Sequence, residues 1–447
     1  MSASSSAVVR RLPVETDLLA IHAVDPARYP FLLESAASGT PQGRFDLLFA
    51  FPGETVMAPA SDSRPFLLRF DEAWRAAREG KACGANLPFA GGWFVYLGYE
   101  LAAEIEPTLA LPPTNEALPV AVATRIPAAI IRDRERHETV LVAEREDLLA
   151  CLERDLSAVR ALPPPTAASP LLASLDEEAP ERFIDIVGRA KEYILAGDIY
   201  QANLSRLWRG ALAADVSHAA LYDRLRRANP APFAGLATFG GRAILSSSPE
   251  RLVEVRRGRI TARPIAGTRP RGRGGEDAAL ASELIAHPKE RAEHIMLLDL
   301  ARNDLSRVAV PGTVRVDEMM TVESYAHVHH IVSNVVAERL PDTTPADVIR
   351  AVFPGGTITG CPKIRSMEII AELEGIGRGA YTGALGYIGH DGSMDLNILI
   401  RTMVRDGSTV SFRTGAGIVA DSVPERELAE TRAKALGLAR ALTGDAR

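Results

Sequence analysis

The sequence predicts an α+β fold with antiparallel sheets. Three observations support this prediction. Runs of β type occur along the whole chain, connections of hairpin length separate several of them, and helical patterns lie between others. The 447 residues are 47% hydrophobic and 24% charged, which is typical of a globular protein with a large core. A doubly wound parallel sheet fits less well, because its strands need long crossover connections.

A change of composition divides the chain into two regions. In residues 161–170 (ALPPPTAASP) Pro, Ala and Ser replace any periodic pattern, which predicts an exposed linker. We therefore expect an N-terminal region at 1–160, a linker at 161–180 and a C-terminal region at 181–447. In the N-terminal region the patterns predict strands at 45–51, 91–99 and 128–131 and a helix at 71–79.

The C-terminal region has longer periodic patterns. The sequence predicts a helix at 181–196, strands at 234–238 and 243–247, and a strand pair at 254–262 that turns at Gly258. Further along the chain it predicts one long amphipathic helix at 276–305, strands at 381–388 and 396–404, and a terminal helix at 424–442.

Charge and cysteine content exclude several classes of function. The 57 acidic and 51 basic residues give a net charge of -6 and leave no single-sign basic face for nucleic acid. We find no window with the ~20 apolar residues that a spanning helix needs, and no apolar run in residues 1–11 that would indicate a signal peptide. Cys83, Cys151 and Cys361 are too far apart for a disulfide framework. We expect a cytoplasmic protein without nucleic-acid or membrane partners.

Two pairs of glutamates are candidate metal ligands. They are Glu290 with Glu293 and Glu427 with Glu430. A spacing of three residues places both members of a pair on one helix face, and carboxylates from two helices are ligands that Mg²⁺ prefers. The alternative is surface ion pairing, since His294 follows Glu290 and Lys434 follows Glu430 at the i+4 position.

Three cationic side chains are candidates for binding an anionic ligand: Arg401, Lys434 and Arg365. Arg401 is the most informative, because it ends the apolar run 396–400, where an unpaired guanidinium is costly. A structural salt bridge would satisfy it equally well. Glycine clusters at 264–267, 354–360 and 415–417 would let backbone amides approach a ligand, although a tight turn explains any one of them. No cluster matches the phosphate-binding loop pattern.

Two residues are candidates for proton transfer. His330 lies in a histidine-rich run, and Glu250 follows a predicted strand. His327 and His329 also suggest zinc, but strand alternation would place them on the face opposite His330, and no thiol lies nearby.

Taken together, these segments resemble the chorismate-utilising enzyme family. The family includes anthranilate synthase component I, aminodeoxychorismate synthase component I, isochorismate synthase and salicylate synthase. The resemblance is strong over about residues 180–440 and weaker before 160, where it depends on 31–35 and 98–100. The matching segments are 197–201 (GDIYQ), 248–250 (SPE), 264–269 (PIAGTR), 289–293 (KERAE), 354–363, 394–395, 400–402, 430–431 and 434–435.

The resemblance implies antiparallel sheets packed face to face, with the helices outside. It also implies a Mg²⁺ ion that bridges the chorismate ring carboxylate and Glu293 and Glu430, with Glu290 and Glu427 as outer support. The general acid for departure of the C4 hydroxyl is expected at Glu250. His330 matches a histidine tied to pyruvate elimination. The positions expected to hold substrate are Arg401, Tyr387, Lys434, Gly415, Gly417, Thr357 and Gly267.

Three positions bear on the reaction. Gln201 stands where water-using relatives carry a lysine, and a carboxamide is no base at neutral pH, so ammonia is the expected nucleophile. Ala266, before Gly267 and Thr268, replaces the lysine that attacks the ring in most aminodeoxychorismate synthases. Taken alone it favours anthranilate synthase, and otherwise it implies noncovalent catalysis. Asn203, together with 394–398 (MDLNI) and the chain length, favours the aminodeoxychorismate branch.

The resemblance implies a partner and an effector site. No cysteine lies in the context of a glutaminase nucleophile, so a separate glutamine amidotransferase subunit is expected to supply ammonia. Glu34 and Ser35 match the family's tryptophan pocket.

Overall fold

The computed structural model describes residues 5–36, 43–59, 63–78, 81–82, 87–159, 171–213, 216–271, 275–324 and 328–444. Short 3₁₀ turns lie at Tyr99–Leu101 and Gly356–Ile358. The helices in these ranges are α1 (Leu18–Val24), α2 (Phe66–Arg78), α3 (Ala102–Ile105), α4 (Glu146–Val159), α5 (Pro180–Leu195), α6 (His218–Ala228), α7 (Gly275–Ala286), α8 (Pro288–Ser306), α9 (Pro345–Val352), α10 (Lys363–Glu374) and α11 (Pro424–Thr443).

The strands are named in chain order. They are β1 (Ser5–Ser6), β2 (Val8–Leu12), β3 (Phe31–Glu34), β4 (Phe45–Ala50), β5 (Thr55–Ala58), β6 (Lys81–Ala82), β7 (Gly92–Leu97), β8 (Ala121–Ile126), β9 (Ala128–Asp133), β10 (Glu138–Ala143), β11 (Leu172–Glu177), β12 (Gln201–Leu212), β13 (Phe233–Phe239), β14 (Arg242–Ser248), β15 (Arg251–Arg256), β16 (Arg259–Ala262), β17 (Ile265–Pro270), β18 (Arg315–Ser324), β19 (Val328–Glu338), β20 (Gly360–Cys361), β21 (Ala384–Gly389), β22 (Met394–Ile398), β23 (Thr402–Asp406) and β24 (Thr409–Ile418).

Nearly all of these strands belong to two large antiparallel sheets. The first has the order β11-β12-β24-β23-β14-β13-β3-β4-β9-β10-β2, with β20 beside β12. The second has the order β17-β19-β16-β15-β22-β21-β7-β8-β5, with β18 beside β19. Each sheet takes strands from both of the regions that the sequence distinguishes. The expected linker lies outside the described residues up to position 170, and its remainder contains β11.

The two sheets pack face to face, and the helices cover their outer faces. Phe31 of β3 stacks on Phe94 of β7 with ring centroids 3.8 Å apart, inside an apolar cluster that both sheets share. On the outer side of the first sheet, α1, α4, α6 and α11 bury their apolar residues. Helices α2, α8 and α9 do the same on the second sheet. The expected α+β fold is therefore confirmed.

Two predicted elements are wrong in their extent. The long helix expected at 276–305 is broken into α7 and α8 at His287, because Pro288 has no N–H to continue the helical ladder. The strand expected at 396–404 is likewise two strands, β22 and β23. Arg401 separates them with a φ of 50°. Across the described ranges, no helix is long and apolar enough to cross a membrane.

Candidate active site

The site lies where two strands of the first sheet separate. Strand β23 pairs with β24 from Thr409 to Phe412, while β12 stays paired with β24 as far as Ile418. Lys434 of α11 lies beside the part of β24 beyond β23, and its Nζ donates a hydrogen bond to the carbonyl of Gly415 at 2.9 Å. We use the word trough for the surface above the C-terminal half of β24, which Lys434, Gln201, Asn203, Tyr381 and Glu293 border.

Two glycines let polar side chains approach the backbone of β24 closely. A Cβ on Gly415 would lie 2.6 Å from the Tyr381 hydroxyl and 2.8 Å from Asn203 Oδ1. A Cβ on Gly417 would collide with the Gln201 carboxamide and would lie 3.7 Å from Glu293 Oε1. Any other residue at either position would therefore have to displace these polar side chains.

Glu250 is the candidate acid of the site. It lies between β14 and β15, is 5% exposed, and accepts a hydrogen bond from Thr357 Oγ1 at 2.8 Å. Burial raises the pKa of Glu250 to about 7, although hydrogen bonds from Thr357 and the Ile265 N–H act in the opposite direction. A carboxyl group with this pKa is about half protonated at neutral pH, so it can donate a proton to a leaving group.

Two cations act on Glu250. The positive charges of Lys434 and Arg401 lower the pKa of Glu250, and they also lower the pKa of His330. Lys434 additionally pairs with Glu430 Oε1 at 2.7 Å. The sequence-predicted residues Glu250, His330, Arg401 and Lys434 therefore lie within electrostatic reach of one another. Together they suit an anionic ligand that carries a leaving group.

His330 is buried and electrically neutral. It is 3% exposed on β19, and its Nδ1 lies 3.4 Å from the carbonyl of Gly267. Burial is the largest cause that lowers the pKa of His330 to about 3, and the charge of Arg401 adds to it. At neutral pH the His330 imidazole is therefore uncharged and can act only as a weak base.

Strand β17 brings a second predicted motif to this histidine. The backbone of Thr268 pairs with that of His330, and the Thr268 side chain lies outside the described residues. Ala266 is 6% exposed and offers no reactive group. Gly267 has a φ of 70°, and a Cβ there would lie 2.9 Å from Glu290 Oε2. Glu290 thus lies beside the glycine that contacts His330.

Two of the predicted metal ligands, Glu293 and Glu430, lie beside residues that border the trough. Glu293 Oε1 accepts a hydrogen bond from Gln201 Nε2 at 3.4 Å, Glu430 pairs with Lys434, and Glu427 is half-buried on α11. Within the described residues, no three Asp, Glu, His or Cys side chains are gathered closely enough to hold a metal. The donors are nevertheless hard oxygens, and one or two carboxylates beside an anionic substrate suit Mg²⁺.

Tyr387 is not among the side chains that border the trough, and its expected role in holding substrate stays a prediction. Strand alternation points it into a different cavity of about 1270 Å³, which it lines with Arg251, Asp395, Glu34 and Ser35. The two residues of the expected effector pocket therefore share a cavity with Tyr387. Burial raises the pKa of Glu34 to about 7.

A family model supports the same substrate class. The model described as chorismate binding enzyme matches residues 30–440. The chain belongs to this family.

Relatives of known name come from two branches of the chorismate-binding enzymes. Anthranilate synthase component 1 of Synechocystis sp. is 39% identical over 93% of this chain and 91% of its own length. Aminodeoxychorismate synthase component 1 of Bacillus subtilis is 38% identical over 93% of this chain and 92% of its own length. The crystal structure of anthranilate synthase component I from Streptococcus pneumoniae has a TM-score of 0.79 at 31% identity, and the match covers 91% of this chain and 93% of that one.

Sequence reasoning missed a buried charged group beneath the trough of this chorismate-binding enzyme. Glu374 pairs with Arg378 at 2.7 Å and with Arg413 at 3.2 Å, and all three are at most 5% exposed. Arg378 also lies 5.5 Å from the ring of Tyr381, whose pKa burial raises to about 12. The group fixes the turn that brings the Tyr381 hydroxyl to Gly415. The i,i+4 spacing of Glu374 and Arg378 could have predicted their ion pair from the sequence, whereas no sequence pattern indicates a role for Tyr381.

Proposed function

We propose that this chain is the chorismate-aminating component of an aminodeoxychorismate synthase. It converts chorismate and ammonia to 4-amino-4-deoxychorismate, the precursor of 4-aminobenzoate in folate biosynthesis. The observation that carries the proposal is Glu250, a buried carboxyl group with a pKa raised to about 7, in electrostatic reach of Arg401 and Lys434. Membership of the chorismate-binding family identifies the substrate that these groups would hold.

The charges of the trough match the charges of the substrate. Chorismate carries two carboxylates, and Arg401 and Lys434 supply two cations near Glu250. The Arg401 guanidinium can bind a carboxylate through two parallel hydrogen bonds, and the Lys434 ammonium acts as a point charge. Binding the dianion between these cations places its C4 hydroxyl toward the Glu250 proton.

Proton transfer from Glu250 drives departure of the C4 hydroxyl. As the C4–O bond breaks, the oxygen takes the Glu250 proton and leaves as water. The nitrogen lone pair of ammonia forms the new C–N bond, and the proton that this nitrogen sheds restores Glu250 through solvent. Chorismate and ammonia thus give the amino compound and water.

Ala266 makes covalent catalysis from this position impossible, because alanine carries no nucleophile. The first ammonia therefore adds at C2 as the C4 hydroxyl leaves. A second ammonia then attacks C4 and expels the C2 amine as ammonia. The net reaction is unchanged, and no bond to the protein forms in either step.

Glu293 and Glu430 would hold a Mg²⁺ ion, with Glu290 and Glu427 as support. When bound, the ion neutralises the ring carboxylate of the substrate.

Ammonia is proposed to come from a glutamine amidotransferase subunit. Cys361, a half-buried cysteine, has its thiol pKa raised by burial, which opposes a role as a glutaminase nucleophile.

Anthranilate synthase component I is the second candidate. Most of the named relatives are anthranilate synthases, and that reaction also needs a base to complete pyruvate elimination. The neutral imidazole of His330 is available for it. In this alternative the product is anthranilate, and pyruvate is released.

Product analysis tests the proposal. The protein is incubated with chorismate, Mg²⁺ and ammonium chloride, with and without a lyase that converts aminodeoxychorismate to 4-aminobenzoate. We expect 4-aminobenzoate only when the lyase is present. Fluorescent anthranilate formed without the lyase would instead establish the second candidate.

A further inference from the structure

Helix α8 carries two of the expected metal ligands, Glu290 and Glu293, on a half that has little apolar anchoring. The buried leucines of α8 begin at Leu297. Among the described side chains at 288–296, only His294 is buried, at 0% exposed. A helix is held in place by the side chains that it buries, so the position of both glutamates depends on what His294 contacts.

His294 contacts Ser333 of β19. Nε2 of His294 and Oγ of Ser333 share a hydrogen bond of 2.6 Å, and both side chains are 0% exposed. Loss of a buried hydrogen bond is costly, because the partner that remains has no water in place of the lost group. This bond therefore holds the N-terminal half of α8 to the strand that carries His330.

Ser333 is itself held in place from two further sides. Its Oγ accepts a hydrogen bond from the Met320 N–H at 2.9 Å, at a point where β18 is irregular and Met320 has a φ of 53°. The Ser333 N–H donates to the carbonyl of Pro264 at 3.3 Å. The residue after Pro264 is Ile265, whose N–H donates to Glu250. Ser333 is thus a fixed point that β18, β19 and the segment before β17 share.

Both glutamates lie within about one turn of His294. Glu290 precedes His294 by four residues and so shares its helix face, and a Cβ on Gly267 would lie 2.9 Å from Glu290 Oε2. Glu293 directly precedes His294 and accepts a hydrogen bond from Gln201 Nε2 at 3.4 Å. A shift or rotation of this half of α8 would therefore move both carboxylates relative to the two sheets.

We propose that the His294–Ser333 hydrogen bond positions Glu290 and Glu293 for the divalent cation, with His294 as a positioning residue that does not touch the ion. The inference rests on the proposed function, in which the carboxylates of α8 hold or support Mg²⁺. A ligand that is already in place loses less conformational freedom when the ion binds. Removal of a group that orients metal ligands typically weakens metal binding about 10- to 100-fold.

Direct binding of Mn²⁺ tests the positioning role. Mn²⁺ is the probe because it takes the same hard oxygen ligands as Mg²⁺, and electron paramagnetic resonance reads its free concentration. We expect His294→Leu to weaken Mn²⁺ binding about tenfold or more. His294→Gln keeps a hydrogen-bonding atom at the approximate reach of Nε2, so its Mn²⁺ affinity should stay within about threefold of that of the unmodified protein.

Ser333→Ala removes the other partner of the same hydrogen bond. It should weaken Mn²⁺ binding by about the same factor as His294→Leu. The double variant should bind Mn²⁺ no more weakly than either single variant, because all three lack one shared interaction. Ser333→Ala and His294→Gln keep the test decisive if His294→Leu does not fold.

His22→Leu is the matched control. His22 is equally buried, on α1 at the outer side of the first sheet, and its Nδ1 lies 2.7 Å from the carbonyl of Tyr29. The substitution should lower the free energy of unfolding in urea and leave the Mn²⁺ affinity unchanged. The same pattern in His294→Leu would show a merely structural role and would overturn the inference.

Two other outcomes separate the inference from the proposed function. Absence of Mn²⁺ binding to the unmodified protein would overturn the proposed ion, and the positioning role with it. Weakened Mn²⁺ binding in the variants, together with a product other than 4-amino-4-deoxychorismate from the unmodified protein, would support the positioning role and overturn the proposed function alone.

Discussion

Replacement of Thr357 by valine should shift the pH dependence of turnover in a defined direction. Thr357 Oγ1 donates to Glu250 Oε1 at 2.8 Å, and this hydrogen bond lowers the pKa of Glu250 against the larger opposing effect of burial. A hydrogen bond to a charged group is worth about 1.5–3 kcal/mol and one to a neutral group about 0.5–1.5 kcal/mol. The difference, about 1–1.5 kcal/mol, corresponds to about one pKa unit.

The sign follows from the role of Glu250 as an acid. The active form is protonated, so turnover is present below the pKa of Glu250 and is lost as the pH rises through it. In Thr357→Val the alkaline midpoint should move from about pH 7 to about pH 8. At about pH 8 the variant should then keep about half of its plateau activity and the unmodified protein about a tenth, which is a difference of about fivefold. The assay is kcat/KM for chorismate, which reports pKa values of the protein without substrate, at saturating free ammonia between about pH 6 and about pH 9.

Thr409→Val is the matched control, because Thr409 is exposed at the start of β24. Its profile should coincide with that of the unmodified protein. A Thr357→Val midpoint that stays in place or moves to lower pH would refute the assignment of Glu250 as the acid. So would a rate that increases with pH, which is the behaviour of a base.

Four further outcomes are expected. Glu250→Gln removes the proton and should lower kcat about 10²- to 10⁴-fold with a far smaller change in the chorismate KM, measured by steady-state kinetics. Lys434→Met should raise the chorismate KM about tenfold or more, since one charge-assisted contact is lost, and an unchanged KM would remove Lys434 from the substrate site. Glu374→Gln leaves two buried guanidinium groups without their carboxylate and should lower the free energy of unfolding in urea by about 3–5 kcal/mol. The exposed pair broken by Arg302→Met should cost below about 1 kcal/mol in the same measurement. Chelation with EDTA should abolish turnover and added Mg²⁺ should restore it, whereas full activity in EDTA would exclude the proposed ion.

Much of the fold could be predicted because its strands follow one another through short turns. The strand pair around Gly258 is an example, since β15 and β16 form the expected hairpin there. Pro288 is a sequence signal for the break between α7 and α8. The amphipathic pattern continues on both sides of it, however, and that pattern led to the prediction of one helix. The break at Arg401 is a left-handed residue inside an apolar run, and no local signal requires it.

The site could be predicted where its residues lie in compact motifs. Glu250 and Thr357 come from segments far apart in the chain, yet each lies in a recognisable short pattern, and the structure joins them by a hydrogen bond. Tyr381 lies in a turn with no periodicity, and Arg378 of the buried group contacts that turn through Thr382 Oγ1 and the Tyr381 N–H. Tyr387, which the resemblance implies at the substrate, lines the other cavity because strand alternation turns it that way.

The most direct test of the account is the position of nitrogen in the product. Chorismate is turned over with ¹⁵N-labelled ammonium chloride and Mg²⁺, and the product is examined by NMR. The proposed function predicts ¹⁵N bonded to C4 of a cyclohexadiene that still carries its enolpyruvyl group. Label at C2 of an aromatic ring, with free pyruvate in equal amount, would contradict it.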